Sequence, residues 1–117
     1  MPIARQPDLG KALRFRARLT GEYVIGLDGV YLSKLKGDSA EIQAGETRHI
    51  TLDCEVALIK NSMAYVQVNP VLWRMGTVTG PLILTDKHNT IDLRLEADVD
   101  IDLAELEYVV KLLFEGI

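Results

Sequence analysis

The chain has 117 residues, 48% of them apolar and 26% charged, with a formal net charge of −4 at pH 7. That length suits one domain with a real core and little spare chain, and the composition excludes a disordered protein. No apolar run approaches the ~20 residues that span a bilayer, and Met1-Pro2-Ile3-Ala4-Arg5-Gln6-Pro7 lacks the apolar stretch of a secretory signal, so a soluble, unexported protein is expected.

Residues 1–12 read as an extended N-terminal arm, kept irregular by Pro2, Pro7 and Gly10, and residues 13–117 as a single β domain. From Leu13 the pattern alternates. Leu13, Phe15, Ala17 and Leu19 share one face, and Arg14, Arg16 and Arg18 share the other, which predicts a half-buried strand with a positive outer face. Glu22–Ile25 reads as a short strand, and the stretch from Gly26 to Ser39, with three glycines, as loop. Ala40–Ala44 and Arg48–Leu52 read as strands around the turn Ala44-Gly45-Glu46-Thr47. Cys54–Ile59 and Met63–Val68 are predicted to form a hairpin across Lys60-Asn61-Ser62.

Pro70 and Gly76 bracket an apolar loop containing Trp73, and Leu82–Leu84 is a brief strand. Asp86-Lys87-His88-Asn89 is a polar turn leading into Thr90–Ala97, where Ile91, Leu93 and Leu95 alternate with Asp92, Arg94 and Glu96. The tail fits two periods. Leu103, Leu106, Val110 and Leu113 have helical spacing with Asp102 as an N-cap, while Tyr108, Val110, Leu112 and Phe114 alternate as a strand. Many short strands at this spacing predict an all-β sandwich or barrel.

Charge is unevenly spread. Arg5, Lys11, Arg14, Arg16 and Arg18 against Asp8 give residues 1–20 a sum of +4, which leaves −8 for the remainder. A basic leading segment on an acidic body suits docking to an acidic surface, such as a neighbouring copy, and an acidic body argues against direct nucleic-acid binding.

Ile25-Gly26-Leu27-Asp28, Ala44-Gly45-Glu46-Thr47, Ala64-Tyr65-Val66-Gln67-Val68-Asn69-Pro70, Thr90-Ile91-Asp92-Leu93 and Val110-Lys111-Leu112-Leu113-Phe114-Glu115 occur in an order and spacing that resemble the dUTPase family. The resemblance implies a small β-sandwich or barrel, a homotrimer, and a C-terminal strand from about Tyr108 onward, beside which a helical turn near Leu103–Glu107 can coexist. Family members hydrolyse dUTP to dUMP and pyrophosphate with magnesium, through short motifs shared between subunits.

Those motifs are poorly kept here. Gly26 and Asp28 match the first, with Gly29 in place of an apolar residue. Val71 and Leu72 fall where the second supplies an Arg-Ser pair for phosphate, and neither side chain donates a hydrogen bond. In the third, Leu84 stands at the carboxylate that activates water and Lys87 at the tyrosine under the sugar. Leucine cannot act as a general base, and Asp86 lies two residues off. Lys111 replaces the glutamine of the fourth motif, and the glycine-rich fifth has no counterpart before Ile117. No catalytic residue, metal or cofactor is therefore expected.

Other groups have plain readings. Cys54, the lone cysteine, reads as a small core residue. Asp53 and Glu55 beside it oppose a reactive thiolate. Asp98, Asp100 and Asp102 fall on one side of an extended strand. This is a solvated acidic edge rather than a Ca²⁺ site, since Leu103 and Val109 stand where an EF-hand needs glycine and glutamate. His49 and His88 read as exposed and non-catalytic. Trp73 either stacks a nucleobase or plugs a partner's pocket, or it is a core or subunit-interface tryptophan, the interface being favoured.

Arg14, Arg16 and Arg18 either track a phosphate backbone or, more simply, solubilise an edge strand or pair with an acidic neighbour. Arg5, Arg14, Arg16, Arg18, Val71, Leu72, Trp73 and Met75 are thus the expected interface residues, and Asp28 and Asp86 the expected remnants of a nucleotide site. A kept fold without its motifs points to a non-enzymatic structural protein. The expectation is a trimeric decoration or cement protein of a tailed phage. It would hold the major capsid protein or another virion protein through its arm and apolar loop, and pass through the infected host's cytoplasm before assembly. The alternatives are an inactive nucleotide-binding or regulatory protein and a diverged Mg²⁺-dependent dUTP/dCTP hydrolase using Asp28 or Asp86.

Overall fold

A computed structural model describes residues 17–37, 39–86 and 90–115. The described chain is built from twelve short strands, one helix and one 3₁₀ turn. Strands β2 (Val24–Ile25), β3 (Val30–Leu32), β7 (Met63–Val68), β9 (Ile83–Thr85) and β12 (Val110–Glu115) form a five-stranded sheet in the order β2-β3-β12-β7-β9. Strands β5 (Thr47–Thr51), β8 (Gly76–Thr79) and β10 (Asp92–Ala97) form a second sheet, β5-β10-β8. Two strand pairs complete the molecule: β1 (Ala17–Gly21) with β6 (Cys54–Leu58), and β4 (Glu41–Ile42) with β11 (Ile101–Asp102). Every one of these pairings is antiparallel.

Alternation sends Val30, Leu32, Val66, Val68, Leu84, Val110 and Leu112 inward from the larger sheet, to meet Ile50, Val78, Leu93 and Leu95 from the smaller one. Ala17, Cys54 and Val56 join the same cluster. Each fully buried aliphatic side chain contributes about 1.5–3 kcal/mol, so this shared interior holds the fold. Burial also drives the Cys54 thiol up to about 11, with Asp53 and Glu55 adding to the shift, so it stays a protonated core residue at neutral pH.

Several expectations are met. Ala17 is buried and Arg18 exposed on β1, in the phase read from the sequence. Ile91, Leu93 and Leu95 are buried. At the C-terminal end the strand period wins from Val110 onward, and the helical reading shrinks to a short turn: Asp102 caps the 3₁₀ turn Leu103–Glu105 by accepting from the Ala104 amide at 3.1 Å, and β12 follows.

Other expectations need correction. The run Gly26 to Ser39 contains β3, which the glycine-rich composition hid. Val30–Leu32 is a strand because it pairs with β12, about 80 residues away in sequence. β6 and β7 both form but do not make a hairpin with each other. β6 pairs with β1, and β7 lies between β12 and β9. The connection carries Asn61 at φ 67° and a Ser62 amide bonded to Ile59 O at 3.1 Å, so it moves the chain between sheets. The apolar piece after Asn69 is not a loop but helix α1 (Pro70–Met75). The chain bends at residues 98–99, leaving only Ile101–Asp102 as strand, so Asp98, Asp100 and Asp102 do not share one extended face. The N-terminal arm, Arg5, Arg14, Arg16, Lys87 and His88 lie outside the described residues.

Candidate functional site

Residues distant in sequence meet where the β2–β3 turn lies against β12. The Gly26 amide donates to Gly29 O at 2.8 Å, closing the turn that presents Asp28. The Tyr31 hydroxyl donates to one carboxylate oxygen of Asp28, and the Lys111 ammonium to the other at 3.1 Å. Tyr31 and Lys111 are register partners across β3 and β12, so both side chains rise from the same face. A Cβ on Gly29 would stand 2.7 Å from Leu112 O and 3.0 Å from Lys111 Cγ, so only glycine lets the turn lie this close to β12.

An aromatic wall continues the cluster. Tyr31 stacks on Tyr108 with ring centroids 4.8 Å apart and an interplanar angle of 17°. Lys111 Nζ lies 5.9 Å from the Tyr31 ring centroid. The Tyr31 hydrogen bond, followed by that from Lys111, holds the Asp28 carboxyl below its ordinary range. The same bond to Asp28 and the partial loss of water push the Tyr31 phenol up to about 12.

Beside this cluster opens a cleft of about 390 Å³, lined by Gln67, Lys111, Pro70, Trp73, Leu82 and Tyr108 among others. Helix α1 is fixed at the rim by Asn69. The Asn69 side chain accepts from the Val71 amide at 3.0 Å and donates to Tyr108 O at 2.8 Å, while its backbone amide reaches Val109 O at 2.9 Å. Pro70 at the first helical position adds a preset φ.

The expected site residues fare differently. Asp28 lies in the cluster. Asp86 follows β9, whose Thr85 pairs with Met63, and Met63 pairs with Glu115, four residues along β12 from Lys111. Four residues of strand are about 14 Å, so the structure does not bring Asp28 and Asp86 together. Val71 and Trp73 are exposed on α1, but Leu72 is fully buried and Met75 packs against the core, so those two side chains belong to the interior. Arg18 is exposed opposite Ala57. Leu84, aligned with the water-activating carboxylate of the resemblance, is fully buried opposite Ala64. His49 is exposed, paired in register with Arg94.

Sequence reading missed Tyr31, Tyr108 and Gln67, and treated Lys111 only as a replaced glutamine. Tyr31 stands three residues after Asp28, a local hint. No local signal marks Lys111, which is 83 positions away.

The residues present do not fit a magnesium site at Asp28. Both of its oxygens are engaged, and the ammonium at 3.1 Å opposes a second cation. Among the described residues no group of three or more His, Cys, Asp or Glu is placed to hold a metal. The acidic stretch is tied into turns: Asp100 accepts from the Ala44 amide at 2.8 Å, and Asp102 caps the 3₁₀ turn. No described helix is long and apolar enough to cross a membrane.

No family model matches the sequence, and no curated protein does. Among solved structures, the native EIAV dUTPase is similar, with a TM-score of 0.62 at 17% sequence identity over 84% of this chain and 86% of that one. At that identity the likeness speaks for the backbone, and with the antiparallel strand order above it gives this chain an all-β, dUTPase-like fold.

Proposed function

We propose that this chain is a non-enzymatic structural protein, a homotrimeric decoration protein of a tailed-phage capsid. One observation carries the non-enzymatic part: the position aligned with the water-activating carboxylate is Leu84, a fully buried core residue. The one carboxylate that remains from the motifs, Asp28, is held by Tyr31 and Lys111 and serves the turn it sits in. Val71 and Leu72 add no phosphate donor.

The capsid assignment draws support from the chain's charge pattern. A segment summing to +4 leads a body summing to −8, which suits lateral clamping between copies or onto an acidic shell. The partners are then the major capsid protein or another virion protein. The protein occupies the capsid surface after passing through the host cytoplasm.

Quantitative mass spectrometry of purified particles tests this reading. Abundance comparable to the major capsid protein supports it, and absence from the particle rejects it. A second reading, an inactive nucleotide-binding module, rests on the cleft beside Lys111, Gln67 and Tyr108. Calorimetry with dUTP, dUMP and dCTP decides that one, since no heat removes it. Turnover of dUTP or dCTP that is lost in Asp28→Asn or Asp86→Asn would replace both readings with a hydrolase.

A further inference from the structure

Asp28 is followed by Gly29, the one Asp-Gly step in the sequence. Packing leaves no other residue for the second position, since a Cβ there would stand 2.7 Å from Leu112 O. The glycine that fits the turn also creates a chemical weak point. With no side chain on Gly29, nothing shields its nitrogen from the carboxyl that precedes it. In a protonated Asp28 carboxyl, attack by the Gly29 nitrogen forms an N–Cγ bond and breaks a Cγ–O bond. The hydroxyl leaves with the amide proton as water, giving a cyclic imide. A second water opens that ring at the former main-chain carbonyl, and the chain then runs through Cγ as isoaspartate.

We propose that Asp28–Gly29 is a latent isoaspartate site, kept closed by the hydrogen bonds from Tyr31 and Lys111. Attack requires Cγ to swing toward the Gly29 nitrogen. Both carboxylate oxygens are held from elsewhere, one by the Tyr31 hydroxyl on β3 and the other by the Lys111 ammonium on β12. Tyr31 is itself fixed by its stack on Tyr108 at 4.8 Å. Burial gives no shelter, because the Asp28 side chain is 61% exposed. The two hydrogen bonds are therefore the restraint. They also favour the ionised carboxylate, whose oxygen cannot depart as water, in keeping with the lowered pKa of the group.

The modification would matter to the fold. It inserts one extra atom into the main chain of a turn closed by the Gly26 amide and Gly29 O at 2.8 Å. It also withdraws the carboxylate that joins this turn to β12.

The test is isoaspartate content at residue 28 of the full chain, followed by peptide mass spectrometry with electron-transfer fragmentation during long incubation at mildly acidic pH. Folded wild type should form it about tenfold or more slowly than the same chain in urea. Tyr31→Phe and Lys111→Met should each raise the folded rate about threefold or more, and the double variant about tenfold. In urea all of them should match wild type. Val78→Ala, which loosens the other sheet without touching the turn, should leave the folded rate within about twofold. Circular-dichroism melts verify folding, and Lys111→Gln replaces Lys111→Met if that variant does not fold.

Equal rates for wild type folded and in urea would overturn the proposal. So would folded Tyr31 and Lys111 variants that match wild type. An equal rise in Val78→Ala would assign the protection to overall stability and remove the clamp from the explanation.

Discussion

Asp28 shows how little one residue's identity says about its work. In a Gly-x-Asp tripeptide it reads as a remnant of nucleotide binding, but its oxygens are used by Tyr31 and Lys111 to tie a turn to β12. Its folded pKa is lowered, so its contribution to stability is present at neutral pH and is lost as pH falls below the ordinary value of 3.8. Acid unfolding of Asp28→Asn should therefore start from a lower neutral-pH melting temperature and show a shallower decline below that value than wild type. Tyr31 has the opposite sign. Its raised pKa gives stability that is full below the ordinary 10.0 and lost as pH rises through about 12. Alkaline titration followed by tyrosinate absorbance should show one phenol ionising near 12, and Tyr31→Phe should remove that step.

At the scale of elements, α1 is the informative case. Six residues cannot sustain a helix by propensity, so α1 depends on its cap and on its one fully buried side chain, Leu72. Asn69 gives the cap and also bonds to Tyr108 O and Val109 O, fixing the helix to the segment entering β12. Asn69→Ala should cost about 1–3 kcal/mol, because the cap is lost and the Tyr108 carbonyl loses its donor. Chemical denaturation would measure this, and a change under about 0.5 kcal/mol would refute the assigned role. The same element shows where pattern reading stops. Pro70-Val71-Leu72-Trp73-Arg74-Met75 is too short to display a helical period, so its apolar content looked like an exposed loop, while the fold turns Leu72 and Met75 inward.

For the molecule as a whole, the decisive position is Leu84. It sits in β9 opposite Ala64 and packs into the interior shared by both sheets. Leu84→Ala should cost about 2–5 kcal/mol through lost contacts and a residual cavity. Leu84→Asp, which places a carboxylate where the dUTPase resemblance calls for one, would bury a charge with no partner. It should unfold the domain or destabilise it by more than Leu84→Ala does, without creating turnover. Thermal melts and a dUTP assay of both variants check the pair. A folded, active Leu84→Asp protein would show that this position faces a working cleft.

What the sequence determined by itself was local alternation and its phase. Ala17 inward and Arg18 outward, Leu93 and Leu95 inward between Asp92, Arg94 and Glu96, and Asp102 as a cap all follow from period and side-chain chemistry within a few residues. The quoted motifs carried the all-β, dUTPase-like fold, because their order tracks the backbone. Tertiary structure alone decided which strands pair, and with that the site. β6 and β7 are neighbours in sequence yet join different sheets, β3 exists because β12 lies beside it, and Asp28 meets Lys111 across 83 positions. Alternation repeats identically for any partner strand, so it fixes which face of a strand is buried and leaves its neighbour to be chosen by packing of the whole chain.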